Sequence, residues 1–312
     1  MIFENIKSPY LRYALLAAIS GIALVVLFVF SVYLGAWGKL PAKKELSDFK
    51  YQKASEIYTA DSVLIGKYFL YDRQPITFEA IPDHLIKALV AVEDERFYRH
   101  SGVDYRSLAR VAFKTILLQD QSSGGGSTIS QQLAKNLYPR KKSGKFGLVV
   151  DKLKEMFIAR RLETVFSKEE VLQHYLNTVS FGDNTFGVES AALKFFNKPA
   201  RELQLEEAAV LVGMLKATYG YNPRIFPEAS LGRRNLVLHA MWNNELLEEK
   251  EKDSLTALPL KLDYKAYDHN AGLAPYFREE VRKQLIKWSK AEKEAGNHYN
   301  IYTSGLKIYT TL

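Results

Sequence analysis

The sequence predicts a mainly α-helical protein with one membrane-spanning helix near its N-terminus. An uncharged, strongly apolar segment fills residues 13–38. From residue 82 to about residue 244, apolar residues recur at the spacing of amphipathic helices. Short strand-like runs lie on either side of that helical region, at 62–71 and at 301–312.

Residues 13–38 are predicted to cross a membrane. At about 1.5 Å per residue, a helix of this length exceeds the roughly 30 Å hydrocarbon core of a bilayer. Tyr13, Tyr33 and Trp37 stand near its ends, where aromatic residues anchor helices at the membrane surface. A cleaved signal peptide and a buried core helix are the alternatives, but a signal peptide has an apolar region of only about 7 to 15 residues.

The charges around this segment do not decide its orientation, because both sides are basic. A short tail ahead of a large domain is the usual build of single-span enzymes, so we expect residues 1–12 to be cytoplasmic. The flanking basic residues are Lys7 and Arg12 before the segment and Lys39, Lys43 and Lys44 after it.

Composition excludes some kinds of site. The chain has no cysteine, which rules out disulfides and thiolate metal sites. Its six histidines are scattered, which argues against a histidine-built metal site. The formal net charge is +8. A basic domain at a membrane favours anionic lipid, a phosphate-bearing substrate or nucleic acid as a partner, although simple solubility explains the same charge.

Three helix starts can be placed within residues 82–244. Pro82 suits the first turn of a helix. Ser167 and Glu170 spell a capping box ahead of an apolar run. Residues 205–217 are strong helix formers throughout.

Residues 82–104 place a carboxylate on the apolar side of a helix. On a helical wheel Glu93 falls within the apolar stripe, whereas Asp94 and Glu95 point elsewhere. Burial raises the pKa of a carboxyl group, which suits a general acid or base. The alternative is a helix-edge glutamate paired with an arginine or with His100. The stripe is formed by Ile86, Leu89, Val90 and Phe97.

The segment GGGSTISQQLAKN, residues 124–136, has the wrong spacing for a phosphate-binding loop. Gly124 to Gly126 are not followed by the P-loop spelling, and Ile129 stands where a dinucleotide fingerprint needs glycine. Flexible backbone followed by amide and ammonium donors at a helix start suits a mobile lip over an anionic ligand. A disordered surface loop is the alternative.

A third segment, 149–177, is charged and helical in pattern. Lys152 lies three residues before Glu155, and Asp151 lies four before it. Taken alone, this spacing is typical of a solvated helix face.

Together these segments resemble the glycosyltransferase domain of class A penicillin-binding proteins, the peptidoglycan glycosyltransferases of glycosyltransferase family 51. EDERFYRHSG at 93–102 matches the first motif, E-D-x-x-F-x-x-H-x-G. GGSTISQQLAKN at 125–136 matches the second motif, and DKLKE at 151–155 fits the third, R-K-x-x-E, with one departure. Further matching runs extend the resemblance over about residues 75–245.

The resemblance implies a bilobed, lysozyme-like fold and a reaction. Lipid II is polymerised into β-1,4-linked glycan with inversion, and undecaprenyl pyrophosphate is released. The implied partners are lipid II, nascent glycan, the membrane and cell-wall synthesis proteins, and no nucleic acid. The implied location is the outer, periplasmic face of the bacterial inner membrane, where a tether raises the effective concentration of substrate.

The resemblance also implies residue roles. Glu93 is the base that takes the proton of the acceptor 4-hydroxyl, and Glu155 assists departure of the pyrophosphate. Lys135 and Lys152 lie near the pyrophosphate, where positive charge stabilises the leaving group. No cofactor or metal ligand is predicted, and participation of a divalent cation, magnesium or manganese, is left open. The other substrate-binding candidates are Ser127, Thr128, Gln131, Gln132, Asn136 and His100; the last of these also shapes the first motif with Asp94 and Phe97.

Asp151 departs from the family pattern, which has an arginine at this position. A negative charge therefore replaces a positive one near the leaving pyrophosphate. We expect Lys154, Arg160 or Arg161 to compensate, or a metal to do so. On this interpretation Asp151→Arg leaves activity equal or better.

The remaining segments are predicted to be a connector, 39–74, and a linker, 246–312, that leads toward a transpeptidase domain. The run GLKIYTTL resembles the approach to that domain in class A proteins, so we expect an N-terminal part of a bifunctional enzyme. A monofunctional glycosyltransferase is the lesser option. Two other functions stay open: a lytic glycan-cleaving enzyme on a lysozyme-like fold, and a non-catalytic cell-wall scaffold.

Overall fold

The computed structural model describes residues 8–117, 125–140, 144–265 and 273–312. Gly124 and residues 1–7 of the predicted tail lie outside the described residues. The mainly α-helical prediction is confirmed. The helices are α1 (Pro9–Tyr33), α2 (Lys43–Ser47), α3 (Asp83–Glu93), α4 (Tyr105–Leu117), α5 (Ile129–Leu137), α6 (Lys145–Val165), α7 (Lys168–Thr178), α8 (Val188–Phe196), α9 (Leu205–Met214), α10 (Pro227–Asn243), α11 (Glu249–Ala257) and α12 (Pro275–Glu294). The strands are β1 (Ser55–Tyr58), β2 (Leu64–Tyr68), β3 (Asp72–Arg73), β4 (Thr185–Phe186) and β5 (Lys307–Tyr309).

Helix α1 is long and apolar enough to cross a membrane, with a mean hydropathy of 2.8 over its most apolar window. It begins earlier and ends earlier than the uncharged segment 13–38. Pro9 stands at the helix start, where its missing N–H costs nothing. Beyond Tyr33 the chain turns through Gly35, which has a φ of 84°. Trp37 therefore lies outside the helix, and its Nε1 donates to the Ser31 hydroxyl at 2.9 Å.

The C-terminal end of α1 packs against helix α6. The Phe146 ring lies 5.5 Å from Phe28 and 5.3 Å from Trp37, measured between ring centroids. Further along α6, the Phe157 ring lies 5.3 Å from Tyr33. These aromatic contacts connect the apolar helix and the turn after it to the helix that carries the third motif.

The main apolar core lies among the helices between residues 83 and 243. Helix α9 packs against α10 and α3, and α5 packs against both α6 and α7. The capping box at Ser167 is confirmed: the Glu170 N–H donates to the Ser167 hydroxyl, and the Ser167 N–H donates to the Glu170 carboxylate. Pro82 occupies the cap position of α3, one residue before the predicted first turn.

A second, smaller apolar cluster joins two segments that are far apart in sequence. Strand β1 lies between β2, which is antiparallel to it, and β5, which is parallel to it. Ile57 and Ile65 of this sheet pack against Phe277 and Leu285 of α12. The strands predicted at 62–71 and 301–312 are thus confirmed, and parts of the predicted connector and linker share one sheet.

Candidate active site

Helix α3 ends at Glu93, and the chain then turns inward. Asp94 has a φ of −160°, which leaves the helical region. Its buried carboxylate accepts a hydrogen bond from the Ile129 N–H at 2.9 Å and lies 3.0 Å from the His100 Nε2. The sequence predicts only that Asp94 lies off the apolar stripe of α3, and the structure adds that its carboxylate is buried. Phe97 is buried as predicted, although it belongs to a separate 3-10 turn rather than to the Glu93 helix.

A cleft of about 340 Å³ opens beside Glu93. It lies between the end of α3, the start of α4 and the chain that leads into α5. Its polar wall carries both acidic and basic side chains, as a site for a charged substrate requires. The lining residues include Glu93, Asp94, Glu95, Arg96, Asp104, Arg106, Arg110, Gly126, Ser127 and Thr128.

A hydrogen-bonded chain orients the Glu93 carboxylate. The Gln132 Nε2 donates to Glu93 Oε2 at 2.8 Å, and the Tyr175 hydroxyl donates to Gln132 Oε1 at 3.0 Å. Burial, followed by the charge of Glu93, raises the pKa of Tyr175 well above its usual value, so the phenol keeps its proton. Glu93 is half-buried, and among the described residues no arginine or histidine pairs with it.

The second predicted glutamate is held by two cations. Glu155 is 4% exposed. Arg140 donates to its two oxygens at 2.7 and 3.0 Å, in the two-pronged geometry that suits a guanidinium and a carboxylate. Lys152 lies 3.4 Å from the same carboxylate and donates to the Ser127 hydroxyl at 2.6 Å. Because Ser127 lines the Glu93 cleft, Lys152 connects that cleft to Glu155.

Arg140 was not identified from the sequence. It follows the second motif in the run NLYPR, where no periodicity marks it. Only the fold brings it to Glu155, fifteen residues further along the chain.

Positive charge accumulates around Lys152. Burial lowers the pKa of the Lys152 ammonium, the nearby charge of Glu155 opposes that change, and the charges of Arg140 and Lys135 add to it. Lys135 itself is exposed in the last turn of α5. The arrangement suits an anion that lies beside Lys152 and Lys135.

Three of the predicted substrate-binding side chains do not face the cleft freely. Gln131 is completely buried, and neither of its side-chain polar atoms has a hydrogen-bond partner among the described residues. His100 is enclosed between Asp94 and Glu163 and does not line the Glu93 cleft. Thr128 is 2% exposed and caps α5, and its hydroxyl donates to the Gly102 carbonyl at 2.7 Å. These side chains are placed to shape the site, and the predicted ligand contacts of Gln131 and His100 stay predictions.

Asn136 is half-buried, and its Nδ2 has no hydrogen-bond partner in the described part of the chain. The structure therefore gives no contact that fixes its orientation toward the cleft.

The residues expected to offset Asp151 are used elsewhere. Lys154 donates to the Trp37 carbonyl, and Arg161 donates to the Pro41 carbonyl at 2.8 Å. Both therefore bind the chain that leaves α1. Arg160 is exposed and lies in a different pocket, beside Arg99. Among the described residues no ion pair joins Asp151 to any of these three, and their compensation for its charge stays a prediction.

A divalent cation does not fit the residues around Glu155. Both carboxylate oxygens are engaged by the cations of Arg140 and Lys152, which repel a second positive ion. Across the described ranges, no cluster of three or more histidine, aspartate or glutamate side chains could hold a metal ion.

Asp104 fixes the start of α4 at the edge of the cleft. Its carboxylate accepts hydrogen bonds from the Ser107 N–H at 3.1 Å and from the Arg96 Nε at 2.9 Å. Burial alone would raise the pKa of Asp104, but these hydrogen bonds and the Arg96 charge hold it well below its usual range. The carboxylate therefore stays ionised and keeps α4 capped.

Gly102 is required where the first motif meets α6. Its φ is 85°, and an added Cβ would lie 2.6 Å from the Ala159 carbonyl oxygen. We predict that Gly102→Ala destabilises the protein by at least about 3 kcal/mol, since backbone strain and a backbone clash add. The expected fall in melting temperature is about 5 °C or more in detergent.

Gly296→Ala is the matched control for Gly102→Ala. Gly296 has a similar φ of 90°, but nothing lies within 4 Å of an added Cβ. It should cost only about 1 kcal/mol, the strain of a positive φ alone. Equal melting temperatures for the two variants would show that the contact with Ala159 is unimportant.

Comparisons with known proteins found one family and several similar proteins. The model of the transglycosylase family matches residues 62–242. Penicillin-binding protein 1A of Escherichia coli is 33% identical over 97% of this chain and 34% of its own length. Penicillin-binding protein 1A of Aquifex aeolicus is 33% identical over 96% of this chain and 39% of its own length. The crystal structure of penicillin-binding protein 1A from Haemophilus influenzae aligns with 85% of this chain and 28% of its own, at 25% identity and a TM-score of 0.47.

This chain therefore spans between a third and two fifths of the length of these two curated relatives. The family match covers the residues that carry the cleft, from Glu93 through Glu155 to Tyr175.

Proposed function

Because the chain belongs to the transglycosylase family, we propose that it is a membrane-anchored peptidoglycan glycosyltransferase that polymerises lipid II into β-1,4-linked glycan. The observation that carries this proposal is the pairing of two features at one cleft. The Glu93 carboxylate is oriented on one wall of the cleft. Ser127, in the same lining, accepts a hydrogen bond from Lys152, which with Lys135 and Arg140 forms a cationic group. A base and a phosphate-binding group are what glycosyl transfer from a lipid pyrophosphate needs.

In the proposed reaction Glu93 acts on the acceptor. The acceptor 4-hydroxyl oxygen forms a bond to C1 of the donor sugar as the bond from C1 to the pyrophosphate oxygen breaks. Glu93 takes the hydroxyl proton, and the electron pair of the broken bond leaves with the undecaprenyl pyrophosphate. A single displacement of this kind inverts the configuration at C1. The Gln132–Tyr175 chain keeps the Glu93 carboxylate aimed at the cleft.

The cationic group acts on the leaving pyrophosphate. Negative charge increases on the pyrophosphate as the C1–O bond breaks, and fixed positive charge nearby stabilises that transition state. Lys152 and Lys135 are the proposed contacts, with Ser127 holding the Lys152 ammonium at 2.6 Å. Glu155 keeps Lys152 in place and balances the charge of the group in the absence of substrate.

The proposed location is the outer, periplasmic face of the inner membrane, with α1 as the anchor and cell-wall synthesis proteins as partners. Packing of Phe146 and Phe157 against the outer end of α1 supports a cleft close to the lipid surface. The absence of cysteine allows a direct test of orientation. A cysteine introduced at exposed Asn297 should react with a membrane-impermeant maleimide in intact cells with a permeable outer membrane. Reaction only after lysis would reverse the proposed orientation.

The pH dependence of polymerisation should report the state of Lys152. Its pKa is lowered by burial, so the ammonium loses its proton at a lower pH than an ordinary lysine, whose pKa is about 10.4. Since the proposed role needs the charged form, activity should fall as the pH rises through this lowered pKa. Lys152→Arg should keep activity to higher pH, because a guanidinium stays charged.

The control for this pH prediction is Lys154→Arg. Lys154 lies on the same helix but donates to the Trp37 carbonyl, away from the cleft. Lys154→Arg should leave the alkaline limb of the pH–activity profile at the same pH as in the wild type. An unchanged limb in Lys152→Arg would remove Lys152 from the proposed role.

The proposed function is tested by the product that the purified, detergent-solubilised chain makes from lipid II. We expect glycan polymer that a β-1,4-specific muramidase digests to disaccharide units. Breakdown of preformed glycan, with no polymer made, would identify the lytic alternative. Binding of lipid II without turnover would support the scaffold.

A further inference from the structure

The guanidinium of Arg140 is partly exposed, yet it binds the buried carboxylate of Glu155. It meets both oxygens of a carboxylate that is 4% exposed, while about a third of its own side chain, 32%, stays exposed. A two-pronged contact fixes the plane of the carboxylate as well as its position. The Lys152 ammonium lies 3.4 Å from the same carboxylate, so its position depends on the orientation of that carboxylate.

Asp151 lies one helical turn before Glu155, at the position where the resembled family has an arginine. One of its oxygens, Oδ2, is buried without a hydrogen-bond partner among the described residues. A buried carboxylate oxygen is costly unless positive charge is near. The charge of Asp151 does act on Arg140, together with the hydrogen bond and the charge of Glu155, and all three raise the pKa of Arg140.

We propose that Arg140 is a positioning residue that replaces, from the loop after α5, the arginine that the third motif lacks at position 151. Relative to the R-K-x-x-E motif, the acidic and basic residues are exchanged. The acidic residue, Asp151, lies on α6, and the guanidinium of Arg140 reaches Glu155 from outside that helix. This inference rests on the proposed function. Arg140 acts through Glu155 and Lys152, which it holds toward the departing pyrophosphate.

The exchange can be reversed on α6. Positions 151 and 155 are neighbours at i and i+4, with Cβ atoms about 5–6 Å apart, so an arginine introduced at position 151 can reach Glu155. If Arg140 is needed for this contact, the second arginine should replace it. If Arg140 only stabilises the loop after α5, an arginine on α6 cannot replace it.

The test compares Arg140→Ala, Arg140→Lys, Asp151→Arg and the double variant Arg140→Ala/Asp151→Arg in the full chain. We expect Arg140→Ala to lower kcat about 100-fold with little change in KM, since a misplaced charged group costs about that much. Arg140→Lys should lower kcat about 10-fold, because an ammonium cannot form the two-pronged contact with the carboxylate. Asp151→Arg should stay near wild type, and the double variant should recover to within about 5-fold of wild type.

Arg201→Ala is the matched control for the arginine deletion. Arg201 is exposed and pairs only with Glu202 at 3.5 Å among the ion pairs of the described residues, far from the third motif in sequence. It should leave kcat unchanged. Wild-type kcat in Arg140→Ala would overturn the inference, and so would a folded double variant that stays as slow as Arg140→Ala.

Binding of undecaprenyl pyrophosphate separates this inference from the proposed function. Arg140→Ala should weaken the binding about 10-fold, because Lys152 loses its place, and Asp151→Arg should restore it. A wild type that binds undecaprenyl pyrophosphate but makes no polymer would contradict the proposed function without contradicting the positioning role of Arg140. Equal binding by wild type and Arg140→Ala, in proteins with equal melting temperatures, would sink the positioning role.

Discussion

Glu93→Gln should abolish lipid II polymerisation while leaving the protein folded. The amide keeps the size of the side chain but cannot accept the acceptor hydroxyl proton. Loss of a general base costs roughly 100- to 10,000-fold in rate. Stability should change little, because Glu93 is half-buried and its contact in the described structure is the uncharged Gln132 amide. The measurement is the initial rate of glycan formation from lipid II at saturating substrate.

Glu95→Gln is the matched control for Glu93→Gln. Glu95 lines the same cleft and is exposed, and the substitution removes the same charge two residues away. Its rate should stay within several-fold of wild type. If both variants lost activity equally, the effect would come from the charge of the cleft and not from a base at Glu93.

Glu155→Gln is expected to have the second largest effect. Its carboxylate is buried and binds Arg140 and Lys152, so the amide leaves two cations without their counter-charge. Lys152 then loses its fixed position beside Ser127. We expect a loss of about 100-fold in kcat, with weaker loss in lipid II binding, since the affected interaction is with the departing pyrophosphate.

Glu163→Gln separates stability from catalysis on the same helix. The Glu163 side chain is 5% exposed, as buried as that of Glu155, and it pairs with Lys168 at 2.7 Å and with Ser130. Both substitutions should lower the melting temperature. Only Glu155→Gln should lower kcat per folded molecule, and an equal loss in Glu163→Gln would reduce Glu155 to a structural role.

Local patterns predicted the helices and singled out Glu93, the proposed base. The apolar stripe of α3 located Glu93, and the capping box located the start of α7. These features depend on neighbours within one or two turns, which is the range over which periodicity and capping act.

The orientation of the second motif could not be read from its sequence. Gln131 and Gln132 are adjacent donors, yet Gln131 is fully buried and Gln132 meets Glu93. Helix α5 packs against α6 on one side and α7 on another, so most of its first two turns are enclosed. The apolar residues Ile129, Leu133 and Leu137 form one stripe, but that stripe does not show which of the neighbouring polar residues is buried and which reaches the cleft.

Long-range contacts account for the other differences. The Arg140–Glu155 pair forms only when the segment after α5 meets α6, and the β1–β5 pairing joins residues about 250 positions apart. The Asp94 carboxylate points inward because it accepts a hydrogen bond from the backbone N–H of Ile129, the first residue of α5. None of these partners lies within the window that sequence periodicity covers.

The most direct test of the account measures undecaprenyl pyrophosphate release and glycan formation together. Wild type, Glu93→Gln and Glu155→Gln would be compared at equal concentrations of folded, lipid II-binding protein. We predict that the wild type releases one pyrophosphate for each disaccharide added, and that both variants bind lipid II but release almost none. Release by Glu93→Gln at the wild-type rate would contradict it.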